Sequence, residues 1–120
     1  MEIKLRRYNT IYIIDITGDM DLYNAHRLKE VVAKLIGKGV SELIINLERV
    51  EYLDSSGVGA LIHIYTQVKQ KDLKLKIAHV HGSVEKVIRL TKLTDYFPIV
   101  ATVKDALYQL SGKESSDGGQ

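Results

Sequence analysis

The sequence predicts an α/β fold with a mixed, mostly parallel β-sheet packed by about four helices, and three observations predict it. Leu43-Ile44-Ile45-Asn46-Leu47 is a near-continuous apolar run, the pattern of a central strand covered on both faces. From there strand-like and helix-like segments alternate at lengths that suit right-handed parallel crossovers. Ahead of them, two strand-like runs joined by a short turn predict an antiparallel hairpin. The expected order is β-β-α-β-α-β-α-β-α over residues 1–110, a single domain, since 120 residues are too few for two independent cores.

Ile3 and Leu5 alternate with Lys4 and Arg6, as in a half-buried strand. Arg7 to Thr10 reads as a turn, and Ile11 to Thr17 as a second strand rich in β-branched residues. Gly18-Asp19-Met20-Asp21 breaks it, and Asp21 or Asn24 is placed to cap a helix running to about Ile36. Leu28, Val31, Val32 and Leu35 form that helix's apolar stripe, and Gly37 or Gly39 suits the left-handed position that ends it. Beyond the central strand, Val58 to Lys71 is amphipathic, with Val58, Leu61, Ile62, Tyr65 and Val68 on one face.

Leu73, Leu75 and Ile77 alternate with Lys74 and Lys76 in a fourth strand ending at Ala78. Ser83 to Lys86 should cap a third helix with Val84, Val87 and Ile88 inward, ending near Leu90. Phe97 to Val100 reads as a short edge strand, because Pro98 cannot donate to a ladder. Thr102 to Leu110 is the last helix, with Val103, Ala106, Leu107 and Leu110 inward. Ser111 to Gln120 carries no apolar side chain and is expected to be a disordered tail.

Composition narrows the function classes. A net charge of +2 gives no field to draw the chain to nucleic acid or an anionic membrane. The absence of cysteine removes disulfides, thiolate metal sites and thiol catalysis together. No apolar run approaches the roughly 18 residues needed to span a bilayer. The first seven residues hold no uninterrupted apolar segment, so no signal peptide is expected and the cytoplasm is the default location.

If the strands at 11–17, 43–47 and 73–78 are parallel, their C-terminal ends share one edge of the sheet. The loops 18–24, 49–57 and 79–83 then crowd the edge where α/β proteins place their sites. The richest of these is Leu53-Asp54-Ser55-Ser56-Gly57-Val58-Gly59, three capping residue types followed by two glycines at a helix start. Free N–H groups and the helix dipole favour negative charge there. Such a turn either binds a phosphate or has a hydroxyl that receives one. One of its three polar residues is expected to act as N-cap. The glycines, each costing about 1 kcal/mol relative to Ala in a helix, leave the first turn bare for close approach of another molecule.

Other chemistries lack partners. No Gly-x-Ser-x-Gly elbow and no oriented base support a serine hydrolase. Asp21, Asp54 and His79 or His81 make a poor metal site, and no Gly-x4-Gly-Lys-[Ser/Thr] loop exists to hold a nucleotide. His26 and His63 belong on polar helix flanks. A receiver-like domain phosphorylated on Asp54 agrees with length and α/β pattern. The opening hairpin, the missing Lys-Pro after the last strand and the position of Asp19 and Asp21 after the second strand argue against it.

The segment from Leu53 to Gly59, following Ile44-Ile45-Asn46-Leu47, resembles the signature of the STAS family. More narrowly it is similar to bacterial anti-sigma-factor antagonists, with their Asp-Ser-[Ser/Thr/Ala]-Gly-[Leu/Val/Ile]-Gly element. Gly18-Asp19-Met20-Asp21 and Val84 to Leu93 match further stretches of the family pattern, and the similarity runs from about residue 3 to residue 110. Val58 stands where Leu is commoner.

The resemblance implies a STAS fold and a regulator rather than an enzyme, with no cofactor and no metal. It implies that Ser55 accepts phosphate, which leaves Ser56 to be read as a cap. Asp21, Asp54, Ser56, Gly57 and Val58 would belong to the partner-binding surface. The implied partners are an anti-sigma factor serine kinase with a histidine-kinase-like ATPase fold, and a PP2C-type phosphatase. A STAS module of another assembly, such as a stressosome or a transporter complex, is the alternative within the same fold.

Overall fold

The computed structural model describes residues 1–112. Its elements run β1 (Glu2–Tyr8), β2 (Ile11–Thr17), α1 (Ala25–Gly37), β3 (Glu42–Arg49), α2 (Ser55–Gln70), β4 (Lys74–Ala78), α3 (Gly82–Leu90), β5 (Ile99–Val100) and α4 (Val103–Ser111). This is the expected order. The five strands form one sheet in sequence order, β1-β2-β3-β4-β5. β1 and β2 pair antiparallel, from Glu2 against Thr17 to Tyr8 against Ile11, and every later pairing is parallel.

Strand alternation sets two unequal layers. Ile14, Ile16, Leu43, Ile45, Leu47, Leu75 and Ile77 face the larger core, which α1, α2 and α3 close with Leu28, Val32, Leu61, Ile64, Val84 and Ile88. Ile11, Ile13, Ile44 and Ala78 face the other way and meet Ala106 and Leu110 of α4. That second face becomes polar toward the C-terminal ends of the strands. There Arg6 Nε and Nη2 donate to the two oxygens of Asp15 at 2.5 and 3.0 Å, and Asn46 Nδ2 donates to Asp15 Oδ1 at 2.8 Å. Asn46, only 8% exposed, uses its own carbonyl to accept from Glu48 N. Burial pushes the Asp15 carboxyl up. The bonds from Arg6 and Asn46 and the charges of Arg6 and Arg49 outweigh it, leaving the group below its ordinary value.

Several local expectations change. Gly37 is the last residue of α1, and Gly39, at φ +92°, takes the left-handed position beyond it. Asn24 occupies the N-cap of α1 without a side-chain capping bond. Its Oδ1 accepts from Asp21 N at 2.9 Å, while Asp21 Oδ1 accepts from Tyr23 N at 2.9 Å and Asn24 N at 3.2 Å. The two side chains thus build a closed turn ahead of the helix. Ser83 does not cap α3 either: His81 holds that position, and neither residue's side chain bonds to the helix.

The edge strand at the end is shorter than 97–100. Phe97 instead buries its ring beside Tyr65 and Tyr96, and Pro98 offers its carbonyl to Ile77 N at 2.9 Å. Ser111 completes α4, with Gly112 at φ +79° as its cap. The rest of the expected tail, 113–120, lies outside the described residues.

Candidate phosphoacceptor and docking site

The parallel sheet brings the three predicted loops to one edge, and backbone bonds tie two of them together. Gly18 N donates to Arg49 O at 3.0 Å and Met20 N to Tyr52 O at 3.0 Å, and Asp54 N returns to Met20 O at 3.2 Å. Met20 and Leu53 form an isolated parallel bridge beyond the ends of β2 and β3, with both side chains buried. In effect the sheet continues one step past its strands, and Asp54 emerges from that step. The third loop, between β4 and α3, reaches the same place from the other flank through His81 and Ser83.

Asp54 is the N-cap of α2. Its backbone is extended, its Oδ1 accepts from Ser56 N at 2.8 Å and Gly57 N at 3.1 Å, and its carbonyl accepts from Val58 N at 3.0 Å. Its second oxygen accepts from Leu22 N at 3.2 Å. One carboxylate therefore satisfies two of the orphan donors at the helix start and also holds the β2–α1 loop. This corrects the expectation for Ser56, which lies half-buried in the first turn while Asp54 does the capping.

Ser55 is the first residue of α2 and is exposed, its hydroxyl without a hydrogen-bond partner among the described residues. Asp21 lies half-buried in the loop strapped to Asp54, between the bridge residue Met20 and the bonded Leu22. Gly57 and Val58 turn inward instead of outward. A Cβ at Gly57 would meet Leu53 Cδ1 at 2.4 Å, Leu53 Cγ at 3.0 Å and Met20 O at 3.0 Å, and Val58 belongs to the core. The close approach that Gly57 permits is thus to this chain's own loop. Gly59 differs, because nothing lies within 4 Å of a Cβ built there.

Three apolar side chains at this edge escape the sequence reading. Leu22 is 68% exposed, Tyr23 84% and Tyr52 48%. Leu22 and Tyr23 belong to the loop that Asp54 holds, and Tyr52 is two residues before it. Their signal in the sequence is weak, because Met20 and Ala25 on either side of them, also ahead of the stripe that starts at Leu28, are buried. Among the described residues no three His, Asp or Glu side chains group closely enough to hold a metal ion, and no helix is long and apolar enough to cross a membrane.

A hairpin-led, otherwise parallel sheet whose bridged loops present an Asp-Ser turn at a helix start defines an α/β domain of the STAS kind. The STAS domain model matches residues 2–106, and the chain belongs to that family. Its curated relatives include the anti-sigma-B factor antagonist of Staphylococcus aureus, 27% identical over 95 residues, which span 79% of this chain and 88% of that one. The fold matches a putative anti-sigma factor antagonist from Thermotoga maritima with a TM-score of 0.83, at 22% identity over 89% of this chain and 92% of that one. It also matches the Bacillus cell fate determinant SpoIIAA in its phosphorylated form, with a TM-score of 0.71 at 20% identity over 91% and 99% of the two chains.

Proposed function

We propose that this protein is an anti-sigma-factor antagonist working by phosphorylation-controlled partner switching. In its unphosphorylated form it binds an anti-sigma serine kinase and releases the sigma factor, and phosphate on Ser55 blocks that binding. The observation that carries the reading is the contrast between adjacent residues. Asp54 is fully engaged in holding the edge together, while Ser55 stands exposed at the helix start with a free hydroxyl. The relatives named as antagonists, and SpoIIAA in a phosphorylated form, support the same assignment.

The geometry suits a substrate rather than a catalyst. Ser55 Oγ would attack the γ-phosphorus of ATP held by the kinase, forming the Oγ–P bond as the bond to the departing ADP breaks. The hydroxyl proton passes to a base on the kinase, because Asp54 beside it is committed to three backbone N–H groups. The phosphate adds about −1.5 to −2 charges at pH 7. Within the domain the start of α2 tolerates it, since a helix N-terminus stabilises an anion by about 0.3–1 kcal/mol. At an interface it must be buried beside the carboxylates of Asp21 and Asp54, which costs several kcal/mol, and each 1.4 kcal/mol is about tenfold in affinity. Leu22, Tyr23 and Tyr52 provide the apolar area for docking, and rigid aromatic side chains give up little entropy when buried.

A phosphoaspartate at position 54 fits less well. Phosphorylating that carboxylate would take its charge and one of its two engaged oxygens, costing either the cap of α2 or the bond to Leu22. A PP2C-type phosphatase would restore the unmodified antagonist by hydrolysing the phosphoserine. The test is to incubate the protein with ATP and each anti-sigma-type serine kinase of the same genome, then map the phosphate. Acid-stable modification at Ser55 supports the reading. Acid-labile modification at Asp54, modification at Ser56, or none at all would each refute it.

A further inference from the structure

Helix α3 puts only Val84 and Ile88 fully into the core. Its N-cap and first turn nevertheless make two side-chain bonds to distant chain. His81 Nε2 donates to the carbonyl of Glu48 at 2.8 Å, across 33 residues, and Ser83 Oγ donates to the carbonyl of Glu51, across 32. Neither side chain serves its own helix, although a polar residue at a helix start usually does. The connection is shaped for this reach. His79 at φ +60° and Gly82 at φ +55° take left-handed conformations on either side of His81, and His79 N is anchored to Ala101 O at 3.2 Å.

Both acceptors lie where the chain leaves β3 and runs to Tyr52, Asp54 and Ser55. In the sheet β3 sits between β2 and β4. The β2 flank holds the β3–α2 loop through the Met20–Leu53 bridge and the Leu22–Asp54 bond. The β4 flank holds it through Ser83 alone among the side-chain hydrogen bonds to that loop in the described residues, while His81 holds Glu48, the next-to-last residue of β3, from which the loop departs. We infer that His81 and Ser83 are positioning residues for the phosphoacceptor, clamping the end of β3 and the β3–α2 loop from the α3 side so that Ser55 and Tyr52 are presented to the partner in one arrangement. Side chains that hold a reacting group in place act on the fraction of productive encounters more than on the chemical step. The clamp rests on the reading of Ser55 as the switch, and its test separates the two.

Amide hydrogen exchange of residues 50–54 is to be compared in the full chain, Ser83→Ala, Ser83→Thr, His81→Ala and His81→Gln. The alanine variants should speed exchange there at least about tenfold while the amides of β2 and of β3 up to Leu47 keep their rates. Ser83→Thr, which keeps the hydroxyl, and His81→Gln, which keeps an N–H donor, should restore much of the protection. With the anti-sigma kinase that modifies Ser55, the alanine variants should raise KM for this protein several-fold and leave kcat unchanged. Unchanged loop exchange in both alanine variants overturns the clamp. Faster exchange with unaltered KM overturns its role in presenting Ser55. No modification of Ser55 in the unaltered chain overturns the parent reading, and the positioning role with it, while the exchange rates still decide whether the loop is clamped.

Discussion

The carboxylate of Asp54 accepts the backbone N–H of Leu22 at 3.2 Å, and so a single side chain both starts α2 and fastens the loop that leaves β2. The consequence is a rigid frame around a free serine. Asp54→Ala removes a helix cap and a bond between loops, and should cost about 1–2 kcal/mol in urea denaturation. Asp54→Asn keeps an oxygen for part of that set and should lose less. A loss below about 0.5 kcal/mol for the alanine variant would show that the frame does not depend on this carboxylate.

Gly57 and Gly59 should respond to alanine with opposite signs. Helix propensity alone favours Ala at both by about 1 kcal/mol. At Gly57 the new methyl group would collide with Leu53 and with the carbonyl of Met20, so a net loss of about 1–3 kcal/mol is expected. At Gly59 there is open space, and a gain of about 0.5–1 kcal/mol is expected. Thermal unfolding of the two variants checks the pair. If Gly59→Ala also weakens binding to the kinase while raising Tm, the glycine is kept for close approach by the partner.

Tyr52→Ala and Tyr23→Ala should leave stability within about 0.5 kcal/mol, since both rings face solvent. Each should weaken kinase binding by about 1–2 kcal/mol, measured by calorimetry. Unaltered affinity in both would move the docking surface away from this edge.

Acid stability should register the Arg6–Asp15 pair. The folded Asp15 carboxyl lies below its ordinary value. Its contribution is therefore present above the unfolded pKa of about 3.9 and is lost as pH falls through the lower folded value. Arg6→Ala should lower stability at neutral pH, and the difference from the unaltered protein should shrink as pH falls below about 4. With the Arg6 side chain 54% exposed, the effect should stay below about 1 kcal/mol. A difference that persists unchanged to about pH 2 would assign it to packing instead.

Much of the fold was legible because its signals are local. The β-branched run at Ile11–Thr17 has the bounds of β2, and Thr102 caps α4 by accepting from Asp105 N at 3.0 Å. The inner face of α2 was read less well. Ala60 and Ile64 are fully buried while Ile62 and Tyr65 are only partly so, because the helix is packed by α1 as well as by the sheet. At the edge, the convergence of the loops followed from strand direction. The inward role of Gly57 did not, since it depends on a Met20 carbonyl that only the bridge brings near. The bonds of His81 and Ser83 were equally hidden, because local capping rules direct such side chains to their own helix and the acceptors belong to the end of β3 and the loop after it.

The central claim is that one phosphate on Ser55 releases the partner without unfolding the domain. Calorimetric titration of the anti-sigma kinase with the unmodified protein and with the stoichiometrically Ser55-phosphorylated protein tests it most directly, alongside the Tm of each form. Phosphorylation should weaken binding at least about a hundredfold, or about 2.8 kcal/mol, with Tm changed by no more than about 2 °C. Equal affinity of the two forms, or a loss of binding accompanied by a collapse in Tm, would contradict the account.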